Sequence, residues 1–232
     1  MSQNFDTVLV VPAWNEAKTI AQVIKSIAPF GKVVVVNDAS NDGTGEIARE
    51  AGADVITHLE NKGYDSALNS GFERAIEIGA EFIITFDADG QHEPDNLKFF
   101  QDKLRAGSQL IVGVRPSHPR LSEKMFGLLT TVLFGLKDPL CGLKGYTASL
   151  YKAAGVFDSI GSFGSQLAIF GFRNLDPEQV ANHPITIQQR KDNSRLGSSI
   201  AANLKIFMAF LRVVKNLLSE MHCPQKDSTQ KF

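Results

Sequence analysis

The sequence predicts an α/β protein in which a mostly parallel sheet is covered by helices on both faces. Short runs rich in β-branched residues show almost no polar alternation, as strands buried on both sides require. Between them lie amphipathic helical stretches, and strand and helix alternate five times. Short connections and fixed crossover handedness leave few arrangements for such a series, and a doubly wound layer is the commonest.

The strands are read at Val8 to Val11, Val33 to Val36, Asp54 to Thr57, Phe82 to Phe86 and Leu110 to Val114. Ile20, Val23, Ile24 and Ile27 recur at helical spacing after the first strand, and Leu68, Phe72, Ala75 and Ile76 do so before the fourth. After Val114 the pattern changes: a basic loop over 115–124, a very apolar helix over 121–136, and a turn-rich return over 138–146. A helix near 148–154 and a strand near 185–189 complete the globular part. A last helix is expected over about 198–218, with Ile200, Leu204, Phe207, Met208, Leu211 and Leu218 on one face. The domain organisation read from this is an α/β domain over 1–197, an amphipathic helix over 198–222 and a loose tail over 223–232.

Composition narrows the function. A chain of 232 residues can bury a sizeable core, and 24 basic against 25 acidic side chains leave no global field to draw it to nucleic acid. Two cysteines, Cys141 and Cys223, are too few for a secreted disulfide scaffold, and the polar start lacks the apolar run of a signal peptide. A cytoplasmic protein is expected. The longest uncharged apolar stretch, Met125 to Leu136, is short of the roughly 20 residues of a membrane-spanning helix.

In open sheets ligands bind beyond the carboxyl ends of the strands, which gathers the loops at 12–16, 37–43, 61–64 and 87–92 along one edge. The first of these has no glycine cluster, so the dinucleotide fingerprint is absent and a dehydrogenase is not expected. At the fourth strand's end Asp87 and Asp89, two residues apart, can share a face, with Gln91 as a further oxygen donor. Such hard-oxygen ligands suit Mg²⁺ or Mn²⁺ better than zinc, and a phosphate-bearing substrate follows. On spacing alone, Asp38 and Asp42 fit a turn before a helix near Thr44 as well as they fit a binding role.

Five segments in register carry a family resemblance: Val-Val-Pro-Ala-Trp-Asn-Glu at 10–16, Val-Val-Asn-Asp-Ala-Ser-Asn-Asp-Gly-Thr at 35–44, Asn-Lys-Gly-Tyr at 61–64, Asp-Ala-Asp-Gly-Gln-His-Glu-Pro at 87–94 and Asp-Pro-Leu-Cys-Gly-Leu-Lys-Gly-Tyr at 138–146. Together they resemble the family 2, GT-A-fold glycosyltransferases over about residues 6–200, and most of all the dolichyl- and polyprenyl-phosphate hexosyltransferases. The resemblance implies a nucleotide-sugar site lined by Pro12, Asn15, Glu16 and Asp38, with Asn61, Lys62 and Gly63 close to the diphosphate. It assigns Asp87 to the face toward the nucleotide sugar, and Asp89, with Gln91, to the metal and the catalytic step. An inverting transfer of a hexose is the implied reaction.

The acceptor decides which transferase this is. A phosphate oxygen is ionised at neutral pH and attacks without a general base, whereas a hydroxyl needs one. Arg115, Arg120 and Lys124, and a second group of Arg190, Arg195 and Ser199, match regions that bind the acceptor phosphate in the polyprenyl-phosphate enzymes. For a glycan or lipid hydroxyl acceptor, Asp138 would be the base. The expected partners are therefore a nucleoside diphosphate sugar, a lipid-linked acceptor, and a membrane surface or membrane-protein partner touched through the apolar helices. Two departures stand out: Asp65, where relatives carry a small or basic residue, and the lack of any acid over 163–170. A catalytically silent nucleotide-sugar-binding homologue is the alternative they raise.

Overall fold

The structure, a computed structural model, describes residues 6–117, 120–156, 162–188, 203–204, 206–212 and 215. Seven strands form one sheet: β1 (Thr7–Ala13), β2 (Lys32–Asn37), β3 (Asp54–Thr57), β4 (Phe82–Thr85), β5 (Leu110–Val114), β6 (Lys144–Thr147) and β7 (Val180–Pro184). Their order is β3-β2-β1-β4-β6-β5-β7, and every pairing is parallel except those of β6, which runs antiparallel to both β4 and β5. The helices are α1 (Ile20–Ile27), α2 (Thr44–Glu50), α3 (Tyr64–Glu77), α4 (Asn96–Arg105), α5 (Leu121–Phe134), α6 (Ala148–Ala154) and α7 (Gln166–Asn174).

Alternation along each strand divides the core in two. Val8 and Val10 of β1, with Ile83 and Val112, face Leu68 and Phe72 of α3 and Phe126 of α5. Leu9 and Val11, with Ile84 and Ile111, face Ile20 and Ile24 of α1 and Leu97 and Phe100 of α4. Because helices cover both faces, β1 is buried along its whole length, which is why its sequence shows no polar alternation. The four apolar positions of α1 are all buried, each contributing roughly 1.5–3 kcal/mol by leaving water.

Two expectations need correction. The segment 138–146 contains β6, a short antiparallel strand inserted between β4 and β5. The strand expected at 185–189 lies earlier, at Val180–Pro184, where it covers the open edge of β5; in the later stretch Ile187 forms an isolated bridge with His92. Residues 203–204 and 206–212 are helical. Ile206 and Ala209 are buried, and the Phe210 ring meets Phe126 edge-on at 5.8 Å. Leu204, Phe207, Met208 and Leu211, the described part of the predicted apolar face, are exposed on the outside.

α3 lies close on β1 because Gly71 has no side chain. A Cβ there would sit 2.3 Å from Val10 Cγ1 and 3.3 Å from Val36 Cγ2. Gly71→Ala is therefore expected to lower stability by about 1–3 kcal/mol through overpacking, read as a lower urea midpoint at unchanged slope. A variant as stable as the parent would contradict this close approach.

Candidate active site

Between β1 and β4 the chain winds outward in both directions, to β2 and β3 on one side and to β6 and β5 on the other. This switch point opens a cavity of about 550 Å³ at the carboxyl ends of the strands. Pro12 lines it from the end of β1, Trp14 and Glu16 from the loop after β1, and Asp38 from the loop after β2. Asn61, Gly63 and Tyr64 enter at the start of α3, and Asp87, Asp89, Gln91 and His92 follow β4. Arg115, Arg120, Glu123, Phe163 and Ile206 belong to the same lining.

The first two loops are stitched together. Asn15 N–H donates to Ser40 Oγ at 2.9 Å, Asn41 N–H to Asn15 Oδ1 at 3.0 Å, and Glu16 N–H to Thr44 Oγ1 at 2.9 Å. Asp42 does make the expected turn, accepting from Thr44 N–H at 3.1 Å, and it also takes Ala17 N–H at 3.1 Å. Asn15 is thus a correction to the predicted lining: its side chain is committed to the neighbouring loop, and it does not border the cavity. Asn15, Ala39 and Phe163 are the non-glycine residues with left-handed backbone among those described (φ 55°, 57° and 53°), and all three fall in loops around the site.

Asp38 lines the cavity and also fastens the next loop. Its Oδ1 takes His58 Nδ1 at 2.7 Å and Lys62 N–H at 2.9 Å, and its Oδ2 takes Gly63 N–H at 2.8 Å. Lys62 contributes its backbone here, while its side chain is exposed and outside the cavity lining.

Asp87 is the centre of the arrangement. β4 ends at Thr85, so Asp87 and Asp89 lie in a turn rather than on the strand, and the turn instead of strand alternation brings both to the cavity. The Tyr64 hydroxyl donates to Asp87 Oδ1 at 3.1 Å, and His92 Nε2 donates to Oδ2 at 3.0 Å, because a carboxylate can only accept. Surrounding protein would by itself raise the Asp87 carboxyl, but the bonds from His92 and Tyr64 and the charge of Lys144 hold it below the usual carboxylate range. Burial, and then the negative charge of Asp87, push the Tyr64 phenol well above its ordinary range, so it stays a donor. Gly142 packs directly on the carboxylate: a Cβ would fall 1.9 Å from Asp87 Oδ2. Behind it Lys144 is buried with its ammonium on the Cys141 carbonyl; burial lowers its affinity for the proton, while Cys141, Asp138 and Asp87 act the other way. Asp89 Oδ1 accepts Gln91 N–H at 3.0 Å.

Another part of the lining belongs to an ion-pair chain. Arg115 grips Asp138 with Nε at 2.8 Å and Nη2 at 2.9 Å, and Glu123 lies between Arg115 (3.3 Å) and Arg120 (2.7 Å). Burial opposes the Arg115 charge, yet the bonds from Asp138 keep it firmly protonated. Asp138 is fully buried and outside the cavity lining, so its assignment as base for a hydroxyl acceptor is corrected: its carboxylate is occupied by Arg115 and cannot reach a substrate. Lys124 is exposed and is not among the residues that line the cavity, unlike Arg115 and Arg120. Arg190, Arg195 and Ser199 lie outside the described residues, as do the tail 223–232 and most of the predicted helix at 198–222.

The two departures noted in the sequence meet in space. The buried Asp65 carboxylate accepts the backbone N–H groups of Ser162, Phe163 (3.1 Å) and Gly164, and so shapes the loop that presents Phe163 to the cavity. Burial raises the Asp65 carboxyl and these three bonds oppose that shift. Sequence reasoning missed Trp14, Tyr64, His92, Glu123, Gly142, Lys144 and Phe163 as site residues. Tyr64 and His92 stand inside the quoted motifs, and Lys144 was detectable as a lone cation in an otherwise uncharged run.

These features define an α/β protein with a phosphate-compatible, acidic-and-basic cavity at a sheet switch point. The glycosyl transferase family 2 profile matches residues 8–153. The chain belongs to that family. An uncharacterized protein of Methanocaldococcus jannaschii is 41% identical over 161 residues, 63% of this chain and 65% of that protein, so the match spans just under two thirds of the relative's length. The UDP-N-acetylglucosamine–dolichyl-phosphate N-acetylglucosaminyltransferase of Methanococcus voltae is 30% identical over 62% of this chain and 70% of its own. The undecaprenyl-phosphate mannosyltransferase of Micrococcus luteus is 27% identical over 78% and 83%. Among solved structures, glucosyl-3-phosphoglycerate synthase from Mycobacterium tuberculosis, crystallised with Mn²⁺, UDP-glucose and phosphoglyceric acid, superposes with a TM-score of 0.70 at 19% identity, covering 96% of this chain and 82% of that one. The shared fold is the GT-A layer.

Asp65→Asn replaces one accepting oxygen by an amide N–H₂, which must then face one or two of the three N–H donors. It is expected to cost about 1–3 kcal/mol and to speed hydrogen exchange at the amides of 162–164. Unchanged protection at those amides would show that Asp65 does not shape the loop.

Proposed function

We propose that this chain transfers a hexose from a nucleoside diphosphate sugar to the phosphate of a polyprenyl phosphate, by direct displacement that inverts the anomeric carbon. The observation that carries the reading is the pairing, across one cavity, of the Asp87–Asp89 turn with the guanidinium groups of Arg115 and Arg120. The names of the Methanococcus and Micrococcus relatives support a lipid phosphate as acceptor. On the donor side, Pro12, Glu16 and Asp38 form the nucleotide end, and the half-exposed Trp14 ring offers a stacking face there. Asn61 and Gly63 precede α3, whose N-terminal end favours a diphosphate.

The donor set of Asp87, Asp89 and Gln91 fits Mg²⁺ or Mn²⁺. Among the described residues no three carboxylate, imidazole or thiolate groups converge as a metal cage. That agrees with a hard cation bound by one or two carboxylates and completed by substrate phosphates and water. Bound there, such an ion supplies Lewis acidity toward the departing diphosphate. This chain's own residues do the positioning: Tyr64, His92 and Gly142 hold the Asp87 carboxylate still, and the arginines orient an acceptor that is already ionised and needs no base.

The mouth of the cavity favours a lipid. Of the twelve large apolar side chains exposed among the described residues, nine lie on α5 and the helical segment at 204–211. Leu121, Met125, Leu128 and Val132 recur along one stripe of α5, and Leu204, Phe207, Met208 and Leu211 are exposed on the helical segment that meets α5 through Phe210 and Phe126. No helix of the described residues is long and apolar enough to cross a membrane. We read this surface as a peripheral membrane contact that brings the cavity to its lipid-linked acceptor, at the cytoplasmic face.

Two experiments test the reading. In a thermal-shift panel of nucleoside diphosphates, at least one should stabilise the protein in the presence of Mn²⁺, by about 2.7 kcal/mol at a hundredfold excess over Kd, and Gly142→Ala should remove the metal-dependent part. A panel without any metal-dependent shift would contradict the donor site. In sedimentation with anionic vesicles, Leu128→Glu with Val132→Glu should weaken binding on the order of tenfold or more, the loss expected for two buried apolar side chains. Equal binding by the double variant would rule out this surface as the contact.

A further inference from the structure

Glu123 stands in the first turn of α5, almost wholly buried, and yet it borders the cavity. Its Oε1 accepts from Arg120 Nη1 at 2.7 Å. Its Oε2 lies 3.3 Å from Arg115 Nη2 and accepts no hydrogen bond. Arg115 does not depend on it, because Asp138 takes its Nε and Nη2 and also its backbone N–H at 3.1 Å. Of the two acids in the chain, Asp138 is sealed away with three bonds. Glu123 alone is both reachable from the cavity and short of a partner. Two guanidinium groups and two carboxylates cancel in net charge, so a phosphate entering this wall meets little attraction while Glu123 stays in place.

We propose that Glu123 is a placeholder for the acceptor phosphate. In the free protein its carboxylate occupies the shared face of Arg115 and Arg120, and a phosphate monoester binds by displacing it. The guanidinium groups gain by the exchange, since phosphate offers more oxygens in the geometry their paired donors match. This rests on the phosphate-acceptor reading above and adds what selects the acceptor. Free phosphate has only its own charge to set against the resident carboxylate. A phosphate ester with an apolar chain also covers the exposed side chains of α5 and the 204–211 segment, which adjoin this wall through Arg120 and Ile206. Glu123 is thus a specificity residue, turning a site for any phosphate into one for a lipid phosphate.

The test is calorimetric titration of the parent protein and Glu123→Gln with two probes, inorganic phosphate and a short-chain isoprenyl phosphate. The parent should prefer the isoprenyl phosphate. Glu123→Gln should bind inorganic phosphate at least about tenfold more tightly than the parent, an effect of about 1.4 kcal/mol, and its preference for the isoprenyl probe should shrink accordingly. A Glu123→Gln protein that unfolds cooperatively like the parent, but binds inorganic phosphate no better, overturns the proposal. Glu123→Ala carries the same expectation and serves if the amide disturbs folding. Should neither the parent nor the variants bind isoprenyl phosphate, the acceptor reading falls and the placeholder with it. Isoprenyl binding with no gain for inorganic phosphate removes the placeholder alone.

Discussion

The position of the Asp87 carboxylate governs the rest of this site. Three separate parts of the chain end on it: Tyr64 at the start of α3, His92 beyond the turn after β4, and Gly142 on the way into β6. Each is held by the fold in turn. α3 is seated on β1 through Gly71, His92 bridges to Ile187, and β6 is locked between β4 and β5 by its ladder. A carboxylate restrained from three sides loses little conformational freedom when it binds, which is the physical meaning of preorganisation. The buried ammonium of Lys144 lies behind it, so the negative charge that faces the cavity is balanced from within the protein.

Two groups of side chains line the cavity: carboxylates of the β1, β2 and β4 ends and loops, and the ion-paired Arg115, Glu123 and Arg120, with the buried Asp138 behind Arg115. The first group suits an activated sugar with its diphosphate, and the second suits a second anion. The second group is also bonded to the C-terminal segment, where Ser122 Oγ donates to Asn203 Oδ1 at 2.7 Å. The arginine-bearing group is therefore continuous with α5 and the helical segment at 203–212, whereas the other group is built from the strand ends, the loops that follow them and the start of α3.

What the sequence made legible follows from the range of the interactions involved. β1 to β5 and their helices were readable because burial on both faces writes itself into local periodicity, and the loops at the strand ends were readable because topology places them. Asp87, Asp89 and Gln91 were found by residue type, although the turn that aims them begins two residues after β4 ends. The Arg115–Asp138 pair spans 23 residues and depends on β5 and the 136–143 segment lying side by side, so nothing local distinguished a buried ion pair from a base. Asp65 reaches the amides of 162–164 nearly a hundred residues away. The apolar face at 204–211 was legible as a face, but its outward direction was not, since periodicity says which residues align and not what they meet.

A crystal structure of the protein with Mn²⁺ and UDP, using the anomalous signal of manganese, measures the central claim directly. The account predicts one manganese peak against the carboxylates of Asp87 and Asp89, with the diphosphate reaching it from the Asp38 side and Asp87 still bonded to Tyr64 and His92. Manganese bound elsewhere, or an Asp87 carboxylate turned away from Tyr64 and His92 in the complex, would contradict it.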